Sequence, residues 1–190
     1  MVKNTILHDN FEVNFTLKGF TSILIGVYFF LLAYAYKYIL DSFLIEDHAL
    51  GLLSIQIIEI IFISLAGVFV LFSSLSMFFS GKRNVNRFQQ QLWNGKTKAA
   101  VRKYFTGILI IFSILIILMN QGLIDFITPS FLILYALFLF LFKNNARKNL
   151  LYLSGLSLLL GIYCFVIPGY WYSSLTILAI AHATYGIVER

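Results

Sequence analysis

Cysteine, proline and charge are scarce in this chain, and each shortage excludes something. Its one cysteine, Cys164, has no partner for an intramolecular disulfide and cannot build a cysteine metal cluster. Charged residues make up 12% of the chain, about half of what a soluble domain carries. Between Lys82 and Lys103 there is no acidic residue at all. There is no Gly-x-Ser-x-Gly, no membrane-embedded Glu–Glu pair, no Asp-rich cation motif and no His pair at haem or metal spacing. No lysine stands mid-way along the last apolar run, where a retinal Schiff base would need one. Ser157 and His182 lack the surrounding motif of a serine hydrolase. No cofactor is therefore expected, and an enzyme is the minority reading.

What the chain has in excess is apolar length. Hydrophobic residues reach 60%, with 20 Phe and 11 Tyr, and the mean hydropathy is +0.88. These residues come in runs of membrane-spanning length, about 17–25 residues each. The expected fold is all-α: a polytopic membrane protein with six transmembrane helices arranged as three helical hairpins. The spans are placed at 20–40, 52–77, 104–119, 126–142, 150–167 and 173–188 of one transmembrane domain covering 1–190. Pro129 falls in a first turn, where its missing N–H does little harm, and Pro168-Gly169 breaks the fifth span from the sixth. The run from 20 onward is too long for a signal peptide and lacks a cleavage site, so it is expected to remain as a span. Residues 1–18 alternate apolar and polar from Phe11 to Lys18. That suits an extended segment at the membrane surface, while Phe11 and Phe15 also suit a short interfacial helix.

Charge sets the orientation. With both termini cytoplasmic, thirteen of the fourteen Lys and Arg lie on that side, all except Lys37. The opposite loops carry Asp41, Glu46, Asp47 and Asp125. This asymmetry predicts an N-in, C-in topology in a plasma membrane. The net charge of +6 is then topogenic and directed at anionic headgroups, not at nucleic acid. The basic loop 81–103 is the one extramembrane segment long enough to dock a partner. Val85, Phe88 and Leu92, with Trp93 beside them, fit a short amphipathic helix on the bilayer surface. Lys82, Arg83, Arg87, Phe88, Leu92 and Trp93 are its lipid- or partner-facing residues. Asn94-Gly95 would stop that helix and Thr97 would cap the next.

Two ionisable residues sit within spans, Glu59 in the second and His182 in the sixth, at depths that match within a turn. Gln56, Glu59, Ile63, Ala66, Val70 and Ser73 form a polar stripe, and Ala179, His182, Ala183 and Gly186 a small-residue one. One reading makes Glu59 and His182 a facing proton-accepting pair. The other makes each a structural hydrogen-bonding residue, with Glu59 at the outer interface.

The three helix pairs also look alike. Phe20-Thr-Ser-Ile-Leu-Ile-Gly26-Val-Tyr28 parallels Gly155-Leu-Ser-Leu-Leu-Leu-Gly161-Ile-Tyr163, and Tyr104-Phe-Thr-Gly107 parallels Tyr152-Leu-Ser-Gly155. Such units would be parallel repeats about an axis along the membrane normal. The last pair, from Gly155 through Pro168 to Gly186-Ile187, resembles the hairpin unit of the HdeD-like acid-resistance membrane proteins. The likeness covers about forty residues. The fourth span lacks the closing Gly-Ile, and the first pair has an acidic loop in place of the Pro turn. The resemblance implies a non-enzymatic role in envelope stress or acid tolerance and brings no catalytic site with it. Two other functions are expected to compete: a small proton-coupled transporter or channel using Glu59 and His182, and a membrane anchor subunit of a larger complex. A homo-oligomer or membrane complex fits any of the three.

Overall fold

A computed structural model describes residues 17, 19–44, 53–87, 93, 95–142 and 150–188. They form six α-helices: α1 (Phe20–Leu44), α2 (Ile55–Arg87), α3 (Gly95–Asn120), α4 (Ile127–Leu141), α5 (Leu150–Val166) and α6 (Trp171–Val188). Among the described residues there is no strand. The all-helical expectation holds. The alternating segment 11–16, the acidic loop 45–50 and the basic turn 143–149 lie outside the described residues.

Among the described residues, four stretches are long and apolar enough to cross a membrane: Phe20–Leu44, Ile55–Arg83, Thr97–Asn120 and Ile124–Leu141. Helix α5 is apolar but only 17 residues long. Helix α6 is diluted by Ser173, Ser174, Thr176, His182 and Thr184. Large apolar side chains point outward all along the helices, among them Phe79 at 60% and Leu109 and Leu159 at 66% exposure. Such surface is tolerated where the surroundings are themselves apolar.

Some boundaries depart from expectation. Helix α2 continues to Arg87, so Val85 and Arg87 extend it instead of opening a separate surface helix. Phe88 and Leu92 lie outside the described residues, while Trp93 is exposed. Helix α3 begins at Gly95, and Thr97 lies inside it and is buried rather than capping it. Lysine, arginine and asparagine do not break helices, so a helix can run past the end of its apolar segment into water. At the far end of α3 the break is built by glycine. Gly122 takes φ +72, its N–H bonds to the Met119 carbonyl, and the Leu123 N–H bonds to that of Leu118. This double bond pattern satisfies the last helical carbonyls and needs the left-handed conformation glycine allows.

The chain divides into two compact units. In the first, residues 18–74 and 169–190, α1 packs closely along α6, and the Ile55–Ser74 part of α2 joins α1 through rings. The Tyr36 ring lies tilted against Phe62 at 4.6 Å, and its hydroxyl donates to the Phe62 carbonyl at 2.9 Å. Phe29 meets Phe69 at 4.5 Å and Tyr28 meets Phe72 at 6.1 Å. These three contacts fix the register of α2 on α1.

In the second unit, chiefly residues 75–168, α5 packs along α4. Ser154 donates to the Ala136 carbonyl and Ser157 to that of Leu132, each at 2.8 Å. Helix α3 joins α4 where Gly107 faces the Phe138 ring and Tyr104 touches Phe138 and Phe142. Lys103 donates to the Leu141 carbonyl at the C-terminal end of α4 and lies over Phe142, where a cation favours the helix dipole. The closest helix pairs are thus first with sixth and fourth with fifth. The two helices of the last expected hairpin, α5 and α6, belong to different units.

A histidine sealed in a two-helix seam

Helices α1 and α6 approach so closely because both present glycine and alanine. A Cβ added to Gly26 would lie 2.6 Å from the Ala179 carbonyl oxygen and 3.0 Å from the Ala183 nitrogen. One added to Gly186 would lie 2.6 Å from the Gly19 carbonyl oxygen. Small residues at such a crossing bring backbones together, and short polar side chains then reach across. Ser22 does so: its hydroxyl donates to the His182 carbonyl at 2.9 Å. The same oxygen lies 3.5 Å from Nδ1 of the His182 ring. Phe29 stacks on that ring at 5.3 Å and 25°. His182, Ser22 and Phe29 are all fully buried.

Glu59 is not part of this site. Phe69 of α2 meets Phe29, and Phe29 meets His182, so the level of His182 along α2 is near residue 69. Glu59 is ten residues away, about 15 Å of axial rise at roughly 1.5 Å per residue. The facing pair suggested by counting depth is therefore not brought together, and Glu59 is half-buried near the N-terminal end of α2. Gln56 is exposed, so the stripe from Gln56 to Ser73 is not a continuous buried face. Ser73 is buried one turn from Phe69, and its hydroxyl has no hydrogen-bond partner among the described residues. Lys82 and Arg83 are exposed, and Arg87 ends α2. Among the described residues no three His, Cys, Asp or Glu side chains gather where a metal could sit.

The second unit repeats the serine bond and the glycine contact of the first. Ser157 donates to the Leu132 carbonyl, and a Cβ on Gly161 would lie 3.2 Å from both the Ile133 nitrogen and the Leu132 Cβ. Ser22 donates to the His182 carbonyl, and a Cβ on Gly26 would lie 3.0 Å from the Ala183 nitrogen and 3.3 Å from the His182 Cβ. In both, a Ser-x3-Gly segment clasps the residue whose carbonyl the serine bonds. The serines and glycines are those that aligned in the two segments beginning at Phe20 and Gly155. Sequence alone aligned these serines and glycines but gave neither a packing role; the small-residue stripe it marked was Ala179, His182, Ala183 and Gly186 on the facing helix.

Removing one clasp bond should cost little. Ser22→Ala is expected to lower stability by about 0.6 kcal/mol and at most about 1.7, the range of interhelical hydrogen bonds in membranes. Thermal denaturation of the detergent-solubilised chain measures it. The His182 carbonyl keeps its place in the helix, so the loss is that of one bond.

Comparison with known protein families, with curated proteins and with solved structures finds no match to this chain.

Proposed function

We propose that the chain is a small, non-enzymatic, multi-pass protein of a bacterial inner membrane, acting in envelope stress or acid tolerance as the HdeD-like proteins it resembles do. The full topology proposed is six spans in three hairpins, with both termini cytoplasmic. Helix α5 at 17 residues gives about 25 Å of rise, near the lower limit for a span. The exposed Lys82, Arg83, Lys98 and Arg102 are suited to anionic headgroups on the cytoplasmic side. The two matching Ser-x3-Gly clasps support descent of α1 and α5 from one repeated unit.

One observation favours this reading over a proton-coupled transporter using Glu59 and His182. His182 is held in a seam of glycine, alanine and phenylalanine, and Glu59 is about 15 Å along α2 from its level. A direct proton transfer between the two does not cover that distance. The test is survival of cells at low pH. Deletion of the chain is expected to reduce survival, and Glu59→Gln is expected to restore it as fully as wild type. Unchanged survival on deletion would sink the acid-tolerance reading. Failure of a well-expressed Glu59→Gln variant to restore survival would favour transport through Glu59.

A further inference from the structure

We infer that one face of α3 is an interaction surface for a second copy of this chain, which lays its α2 there. Tyr104-Phe-Thr-Gly107 of α3 parallels Tyr152-Leu-Ser-Gly155 of α5. Continued in that register, Thr106, Leu109 and Ser113 stand where Ser154, Ser157 and Gly161 stand. On α5 those three face α4: both serines bond its carbonyls, and the glycine admits its backbone. On α3 all three are exposed, Leu109 at 66%. The rest of the face agrees. Leu150, Leu153 and Cys164 of α5 are buried, while their counterparts Arg102, Phe105 and Ile116 of α3 are exposed. Helix α3 meets α4 by another side, where Tyr104 and Gly107 face Phe138. On α5 that side is the open one: Tyr152 is exposed, and a Cβ on Gly155 would meet nothing within 4 Å. The two aligned helices thus hold α4 by different sides of one pattern. The side left open on α3 is the one that in α5 takes a helix.

The occupant follows from which helices are already held. Each clasp holds the second helix of an expected pair: α1 holds α6, and α5 holds α4. The second helix left over is α2. Of the four long apolar stretches among the described residues, that of α2 is the least buried. Its exposed stripe Ile60, Ser64, Gly67 and Leu71 carries a serine and a glycine, the residue types of the two clasps. A Cβ on Gly67 would meet nothing within 4 Å, so a backbone can approach there. Both surfaces are open in the single chain, and what joins them comes from a second one. Lipid tails cover leucine and isoleucine well but offer the Thr106 and Ser113 hydroxyls no acceptor, whereas a facing helix does. The Ala136 carbonyl accepts from Ser154, the counterpart of Thr106, in this way. A two-fold axis along the membrane normal lays α3 of each copy on α2 of the other, an isologous dimer. In the proposed topology those helices run antiparallel, as α4 and α5 do: Ser154 bonds Ala136 and, further along α5, Ser157 bonds the earlier Leu132. The dimer does not rest on the acid-tolerance role.

The test uses the full chain with one fluorophore at its C-terminus, reconstituted sparsely in liposomes, with bleaching steps counted per liposome. Two-step liposomes are expected well above the random co-occupancy set by protein density. Leu109→Trp is expected to bring them down to that random level. Leu159→Trp on α5, also at 66% exposure but outside the proposed surface, is expected to leave them unchanged. Both side chains point away from the packed interior, so neither variant fails for want of folding. A second measurement identifies the facing helix. Two differently tagged chains, one with Ser113→Cys and one with Leu71→Cys, both with Cys164→Ala, are expected to join on oxidation. Random co-occupancy of the unaltered chain overturns the inference, and so does a dimer that survives Leu109→Trp. Ser113→Cys chains that link to each other but not to Leu71→Cys chains overturn the assignment of α2 as the facing helix.

Discussion

Gly26→Leu is expected to separate α1 from α6 and to leave little folded protein. Even the first added carbon meets backbone, the Ala179 carbonyl oxygen at 2.6 Å and the Ala183 nitrogen at 3.0 Å. Neither can swing aside without moving α6 itself. Overpacking typically costs about 1–3 kcal/mol when side chains can yield. With none to yield, the cost should exceed the top of that range. The Ser22 bond and the Phe29 stack on His182 are lost with the seam, because both need the same close approach. The monodisperse fraction surviving a heating series in detergent reports the loss. Gly155→Ala is the matched control: it is also a helical glycine, but its added carbon meets nothing within 4 Å. It should be neutral or gain about 0.5–1 kcal/mol from helix propensity. A Gly26→Leu chain as heat-stable as wild type would mean that α1 and α6 do not meet at this glycine.

The contrast between these glycines shows how much could be read from sequence and where reading stopped. The helix start at Pro129 and the break at Pro168-Gly169 are legible because proline constrains the chain locally, and α4, α5 and α6 start and end within two residues of expectation. Helix α2 runs about ten residues past the expected end of its span, whereas α3 begins at Gly95, two residues before its expected cap at Thr97. The charged stretch after α2's span ends only the apolar part of the helix. The pairing of Glu59 with His182 failed for a different reason. Depth was counted from span ends, but register is set by Tyr36 on Phe62, Phe29 on Phe69 and Tyr28 on Phe72. No such ring ladder can be counted along a chain with twenty phenylalanines. Ser22 and Ser157 look ordinary singly, since hydroxyls in apolar helices commonly bond their own backbone. Only the alignment of the two Ser-x3-Gly segments marks them, and it needed the partner carbonyls to acquire meaning.

Gly161 should behave differently from Gly26, although both stand in equivalent clasps. The nearest obstacle to its added carbon is Cγ1 of Ile133, a side-chain atom, at 2.8 Å, while the backbone nitrogen of Ile133 lies at 3.2 Å. Gly161→Ala is therefore expected to destabilise, and Ile133→Ala in the same chain to remove the main clash. Ile133→Ala alone loses buried surface, and Gly161→Ala alone forces Ile133 aside. Together they should cost less than the sum by about 0.5–3 kcal/mol, the coupling expected of residues in contact. At Gly26, where Ala183 stands at the position of Ile133, the side chain left to truncate is His182, and Gly26→Ala with His182→Ala should show no such relief. Alanine at 182 keeps the Cβ that lies 3.3 Å away, and the closer obstacles belong to the backbone of Ala179 and Ala183. Thermal denaturation of the two double-mutant cycles separates the cases. Relief at both sites would mean that α6 yields as easily as a side chain. Relief at neither would mean that the backbone of α4 already limits Gly161. Relief at Gly161 alone would identify the α1–α6 seam as the one closed by backbone against backbone.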